Sequence, residues 1–328
     1  MNNSLQLDIP KRGMPVTIVT GFLGSGKTTL INQILHNKQN LKVAILVNEF
    51  GDINIDSQLL VDINDNMLEL SNGCICCTIN EGLVDAVYQI LERDEKVDYL
   101  IIETTGLADP FPIMLTFLST ELKDLTYLDS VLTLVDCENF TPDHFDSEAA
   151  LKQIAYGDII LLNKTDLVSP DRVDYLESYI KTVNNGARVL RSEYSQIPLY
   201  LILDVNLSKL QPYSLEDNDN DRHELQKIPK YHLINDGFTS ISFRSERPFS
   251  SLKFQQNFLE KLPENIFRAK GILWFQESES KHIFQLSGKR YDLQVEEWST
   301  TPTNQLVLIG RNLNPLMIQQ SLTNCLTI

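Results

Sequence analysis

A chain of 328 residues, 42% hydrophobic and 22% charged, has the makeup of a folded globular protein and is too long for one small core, so two domains are expected. The formal net charge of −16 excludes nucleic acid as the main partner, because a phosphate backbone demands a basic surface; any polyphosphate must be gripped by local devices. No apolar run reaches the roughly 18 residues of a spanning helix, and MNNSLQLDIPKRG lacks the layout of a secretory signal, so a cytoplasmic protein with reduced thiols and no membrane partner is expected.

The first predicted strand is VTIVTG (Val16–Gly21), followed at once by GFLGSGKTT (Gly21–Thr29) and a helical pattern over Thr28–His36. The stretch fits G-x-x-x-x-G-K-[ST] through Gly21, Gly26, Lys27 and Thr28, on the strand–loop–helix that this motif requires. Glycines let backbone N–H groups curl around phosphate oxygens, and the helix adds its positive N-terminus. Lys27 supplies a point charge for the β and γ phosphates, and the Thr28 hydroxyl is suited to Mg²⁺.

VAILVN (Val43–Asn48) is the second strand and runs into NEFGD (Asn48–Asp52). SNGCICCT (Ser71–Thr78) then packs Cys74, Cys76 and Cys77 into four positions, while the rest of the chain holds only Cys137 and Cys325. Thiolates are soft ligands that favour Zn²⁺ or Cu(I), and cobalt occupies similar sites. In an extended chain Cys74 and Cys76 share one face and Cys77 points to the other, so all three converge only if the chain turns near Cys76–Cys77. A site that releases its metal also needs a labile position, for which water, Glu49 and Asp52 are the candidates. A buried apolar patch and a redox sensor are the competing readings; a disulfide is disfavoured by the reducing compartment and by the strained ring that adjacent Cys76 and Cys77 would close.

A helical pattern covers Glu81–Arg93, and the strand VDYLIIE (Val97–Glu103) ends in an acid, with Gly106 three residues on. An acid there organises Mg²⁺ or water, and a glycine amide senses a γ-phosphate; a helix cap is the plainer alternative for Glu103. SVLTLVD (Ser130–Asp136) and DIILLN (Asp158–Asn163) are further strands, the latter opening NKTD (Asn163–Asp166). In N-K-x-D loops the aspartate accepts two hydrogens from the guanine edge, which adenine cannot match, so GTP is favoured over the ATP of a P-loop kinase. Near-continuous apolar strands alternating with helices, including Arg172–Thr182, predict a doubly wound, mostly parallel α/β domain over residues 1–205. An acidic linker (206–236) leads to a smaller α+β domain (237–328), with strands at Phe238–Arg244, Gly271–Gln276, His282–Gly288 and Gln305–Arg311 and helices at Ser251–Leu262 and Pro315–Asn324.

GFLGSGKTT, NEFGD, GCICC (Gly73–Cys77), ETTGLADP (Glu103–Pro110) and NKTD, taken together and in this order, closely resemble the CobW family of P-loop GTPases, metal-insertion factors related to the urease and hydrogenase nickel GTPases. The resemblance covers the whole chain. It implies that Gly24, Ser25, Gly26, Lys27, Thr28 and Thr29 bind phosphates with Gly21. It also implies that Asn163, Lys164 and Asp166 hold guanine, that Glu103 serves Mg²⁺ and water, and that residues 49–56 form a switch answering to the γ-phosphate. Lys27, Glu103 and Gly106 are then the catalytic residues. Many members carry a histidine-rich tract between the domains; here that stretch has only His223 and His232, so a metal-storage tract is not expected. The function implied is GTP-hydrolysing delivery of zinc or cobalt to a client metalloprotein, with a homodimer as the oligomer considered. The second reading is a regulatory GTP- and metal-binding protein that tunes a partner without transfer, and client-stimulated hydrolysis separates the two.

Overall fold

In the computed structural model, which describes residues 13–38, 41–47, 67–69, 75–141, 147–204 and 238–327, the run MPVTIVTG forms strand β1 (Met14–Gly21), buried along its whole length. Four more of its sheet partners are the expected apolar runs: β2 (Val43–Val47), β4 (Tyr99–Glu103), β5 (Thr126–Asp136) and β6 (Ile159–Asn163). Two short strands, β3 (Met67–Glu69) and β7 (Arg188–Arg191), flank them. All seven pair in parallel in the order β3-β2-β4-β1-β5-β6-β7, so the expected parallel α/β class holds. Parallel neighbours need crossovers, and these run through α1 (Lys27–Asn37), α2 (Ile75–Leu91), α3 (Phe111–Ser119), α4 (Glu148–Tyr156) and α5 (Pro170–Val183). Helix α5 starts as its sequence dictates, with Ser169 accepting from the Arg172 N–H and Pro170 in the first turn.

Strand periodicity explains why both faces are apolar. Val16, Ile18, Ala44, Leu46, Leu100 and Ile102 pack against Leu83, Val87 and Ile90 of α2 and Phe117 of α3, while the alternate residues are buried as well. A second cluster joins Val135, Ile160 and Leu162 to Ile154 of α4 and Leu176 and Ile180 of α5. Strand order reverses about β1: β1 lies between β4 and β5, so the loops after β1, β4, β5 and β6 meet at one carboxyl edge. That reversal is where open α/β sheets bind ligands.

A separate compact unit contains the C-terminal residues. It is an antiparallel sheet in the order β11-β10-β9-β12-β8, built from β8 (Phe238–Ser245), β9 (Ile266–Trp274), β10 (Lys281–Ser287), β11 (Arg290–Glu296) and β12 (Asn304–Arg311). Strand β11 was absent from the sequence expectation. Short helix α6 (Ser251–Lys253), a π-helical turn (Phe254–Leu259) and α7 (Pro315–Cys325) cover one face. The expected helix over Ser251–Leu262 thus widens midway, with Glu260 N–H donating to Gln255 O at 2.9 Å. The wider turn sets Phe254 and Phe258 into a ring cluster with Phe249, Phe275 and Phe284. The expected linker lies outside the described residues. Among the described residues, no helix is long and apolar enough to cross a membrane.

Candidate nucleotide and metal site

The loop after β1 is shaped by backbone conformations that side chains disfavour. Gly26, the residue before α1, has φ +104°, and a Cβ there would stand 2.4 Å from Asn163 Nδ2. Helix α1 begins without a side-chain cap and without an acid in its first turn, so its leading N–H groups and positive end are kept for an external anion. Lys27 is buried, and its Nζ donates to the carbonyls of Gly21 at 2.9 Å and Phe22 at 3.3 Å, curled over the same loop. Ser25 Oγ is buried with no hydrogen-bond partner in the protein. A buried hydroxyl of this kind costs about 1–3 kcal/mol if nothing binds it, so its retention in the loop fits a ligand with acceptor oxygens. Thr29 and Gly24 are exposed at the mouth of the loop.

Glu103, the last residue of β4, is buried next to β1, and its Oε1 accepts from Thr28 Oγ1 at 3.4 Å. The two residues read from sequence as Mg²⁺ partners are therefore together, 75 positions apart in the chain. Gly106 packs against the phosphate loop so closely that a Cβ would lie 2.7 Å from Leu23 N. Thr105 Oγ1, between them, is a second buried hydroxyl without a protein partner, and sequence reasoning did not single it out.

The NKTD loop departs from a simple base reader. Asn163 is buried at the end of β6 and its amide is fully engaged. Nδ2 donates to Ser25 O and Ser195 Oγ, both at 2.9 Å, and Oδ1 accepts from Ser192 Oγ at 3.0 Å and Ser195 N at 2.9 Å. It ties the phosphate loop to the loop after β7. Tyr194 and Ser195 there are both left-handed, with φ +52° and +56°, a strained pair that Asn163 braces. Lys164, also left-handed, donates to Asp136 Oδ2 at 2.6 Å, and Asp166 is exposed. Burial alone would raise the Asp136 pKa, but Asn139, Lys164 and backbone N–H groups outweigh it and hold the carboxyl below its usual range. Ser192, Ser195 and Asp136 carried no sequence signal that the motif reading used.

The residues expected from sequence to bind a transition metal are less fully placed. Cys74, Glu49 and Asp52 lie outside the described residues; Cys76 and Cys77 sit on the backbone of α2, in its first turn. The stretch is thus helical rather than extended at these two positions. The other two cysteines supply no thiolate: burial pushes Cys137 up to about 12 and Cys325 to about 11. Among the described residues no three His, Cys, Asp or Glu side chains cluster as a metal site. The strands that launch the two candidate segments are neighbours, with Val47 of β2 in register with both Glu69 of β3 and Glu103 of β4.

Comparison with known proteins gives two family matches. The CobW/HypB/UreG nucleotide-binding domain matches residues 15–191, and the cobalamin synthesis protein CobW C-terminal domain matches residues 238–326. The chain is 34% identical to the zinc-regulated GTPase metalloprotein activator 1 of Dictyostelium discoideum over 95% of its length and 80% of that protein. It is 33% identical to the zinc chaperone YjiA of Escherichia coli (strain K12) over 90% of its length and 93% of that protein. A crystal structure of the Zn(II)-bound YjiA GTPase aligns with a TM-score of 0.48 at 28% identity, covering 97% of this chain and 100% of that one.

Proposed function

The chain belongs to the CobW/HypB/UreG family and is a GTPase, and we propose that it binds zinc (or cobalt) and delivers it to a client metalloprotein in a cycle gated by GTP binding and hydrolysis. The observation that carries the nucleotide half is the Thr28–Glu103 contact, together with the buried, unpartnered Ser25 hydroxyl of the same loop. Gly21 and Gly24 to Thr29 bind the phosphates, and Asp166 reads the guanine edge. Asn163 acts on the base pocket by bracing it, and Lys164 is held for the nucleotide by Asp136. Thr28 and Glu103 are the residues that would hold Mg²⁺, which when bound would supply positive charge to the phosphates. Lys27 then leaves its two loop carbonyls for phosphate oxygens, a change a flexible ammonium makes readily. Glu103 orients water, and Gly106, pressed against the phosphate loop, answers to the γ-phosphate.

Zinc is the cargo, and Cys74, Cys76 and Cys77 are its proposed ligands, with Glu49 or Asp52 completing the site. Two relatives are named for zinc, and thiolates suit it. A client protein is the partner this cycle needs. The test is Mg²⁺-dependent hydrolysis of GTP and of ATP, followed by zinc stoichiometry before and after Cys→Ser replacement at all three positions. GTP turnover with little ATP turnover, and one thiolate-bound zinc lost in the variant, are expected. Equal use of ATP removes the base-reading role, and unchanged zinc binding removes the thiolate site.

A further inference from the structure

Gln153 is 2% exposed on α4, and the motif reading gives it no role. Its Nε2 donates to two carbonyls of the loop that senses the γ-phosphate, Gly106 O at 3.2 Å and Ala108 O at 3.0 Å. Its own main-chain carbonyl accepts from Thr133 Oγ1 of β5 at 2.7 Å, which fixes the side chain's origin to the sheet. The loop and the start of α3 are held to α4 at two further points. Lys152 Nζ lies 3.1 Å from Asp109 Oδ2, and the rings of Phe111, the first residue of α3, and Tyr156 stack at 5.0 Å. Gly106 therefore meets both Leu23 of the phosphate loop and Gln153.

We propose that Gln153 is the positioning residue of the γ-phosphate sensor: it holds the Thr104–Pro110 loop in the conformation that GTP requires, without touching the nucleotide. A side-chain amide nitrogen carries two N–H groups and so can serve both carbonyls at once, and glutamine does so while neutral, so its burial carries no charge penalty. Carbonyls at i and i+2 held by one atom fix the turn between them, which Ala108 N–H closes onto Thr105 O at 3.1 Å. A loop set in advance need not be ordered when the triphosphate arrives, and that lowers the barrier to hydrolysis. GDP has no γ-phosphate to engage the loop and gains nothing from it. This inference rests on the GTPase reading and extends it to a residue 47 positions away from Gly106.

The test uses the full chain with Gln153→Met, which keeps the length and removes both donors, and Gln153→Asn, which keeps the donors and loses the reach. The expected result for each is a fall of about tenfold in kcat/KM for GTP, carried by kcat, which corresponds to about 1.4 kcal/mol at the transition state. GDP affinity should stay within about twofold, and amide hydrogen exchange should rise in Thr104–Pro110. A merely structural role predicts a different pattern: equal losses for GDP and GTP with a general rise in exchange. That pattern in the variants that fold, or an unchanged or increased kcat, overturns the proposal. Wild-type protein that turns over no GTP overturns the underlying reading instead, and the two failures are told apart in the same assay.

Discussion

Asp136 shows how one carboxylate can serve a loop and a ligand site together. It accepts from the N–H groups of Glu138 and Asn139, from the Asn139 amide and from Lys164, so its charged form is favoured in the folded state. A depressed folded-state pKa stabilises the protein above the ordinary carboxylate range near 3.9 and loses that contribution as pH falls through the lower value. The thermal midpoint of wild type should therefore drop more steeply than that of Asp136→Asn as pH goes from about 5 to 3; parallel curves would refute the assignment. Asp136→Asn should also weaken GTP binding near neutral pH, because Lys164 is no longer held. The exposed Asp166, proposed to read the guanine edge, is expected to contribute to selectivity rather than stability. Asp166→Asn turns a double acceptor into one acceptor and one donor, so the preference for GTP over ATP should fall by at least about tenfold with the midpoint unchanged. Competition between labelled GTP and ATP reads this directly, and retention of the wild-type margin would remove Asp166 from base recognition.

Asn163 acts between elements: four hydrogen bonds join the end of β6 to the phosphate loop and to the left-handed turn after β7. Asn163→Ala leaves Ser25 O and Ser195 N without their partner in a buried site, and a loss of about 2–3 kcal/mol in unfolding free energy is expected by denaturant titration. GTP and GDP affinity should fall by similar factors, since both use the two loops; loss of GTP affinity alone would contradict the bracing role. The same residue marks the limit of sequence reasoning. GKTT, ETTG and NKTD were legible because each chemistry is encoded within a few consecutive residues on a strand end. The long buried strands were legible for the same local reason. What Asn163 touches was not, because Ser25 and Ser195 lie 138 and 32 positions away. Strands β3 and β7 are only three and four residues long and carry too little periodicity to declare themselves, whereas β11 does alternate Tyr291, Leu293 and Val295 with Asp292, Gln294 and Glu296, a period-two signal that went unused beside the longer apolar runs. Gln153 stayed silent for a further reason: a polar residue in an amphipathic helix reads as solvated until its burial against Gly106 and Ala108 is known.

At the scale of the molecule the acidic balance of −16 leaves phosphate binding to local devices such as the β1 loop, and the strands that precede the two proposed metal segments are neighbours in the same sheet. Glu69, Val47 and Glu103 are aligned across β3, β2 and β4, so Glu69 and Glu103 stand about 10 Å apart at two strand spacings. Cys74 follows Glu69 by five residues and so lies at most about 18 Å from it, while Cys76 and Cys77 open a helix that begins at Ile75. Strand β2, whose last residue Val47 precedes Glu49 and Asp52 in the chain, lies between β3 and β4 in the sheet. On the proposed cycle, a γ-phosphate that orders residues 49–56 would bring a carboxylate to the thiolates, and hydrolysis would withdraw that ligand. We predict zinc binding tighter with a GTP analogue and Mg²⁺ than with GDP by about five- to a hundredfold, the usual span of a coupling free energy. Linkage requires zinc to tighten the triphosphate by the same factor. Replacing Cys74, Cys76 and Cys77 with Ser should abolish the coupling and leave GDP affinity nearly intact, since no thiol belongs to the phosphate loop. Glu49→Ala and Asp52→Ala, made separately, should each be tested for retained zinc binding in GDP with lost tightening in the triphosphate state, the signature of a gating ligand. Competition against a chromophoric chelator in the three nucleotide states measures every arm. Equal zinc affinity in all three would end the gated-delivery mechanism even with the thiolates confirmed as ligands, and would favour the regulatory reading in which metal and GTP act on a partner independently.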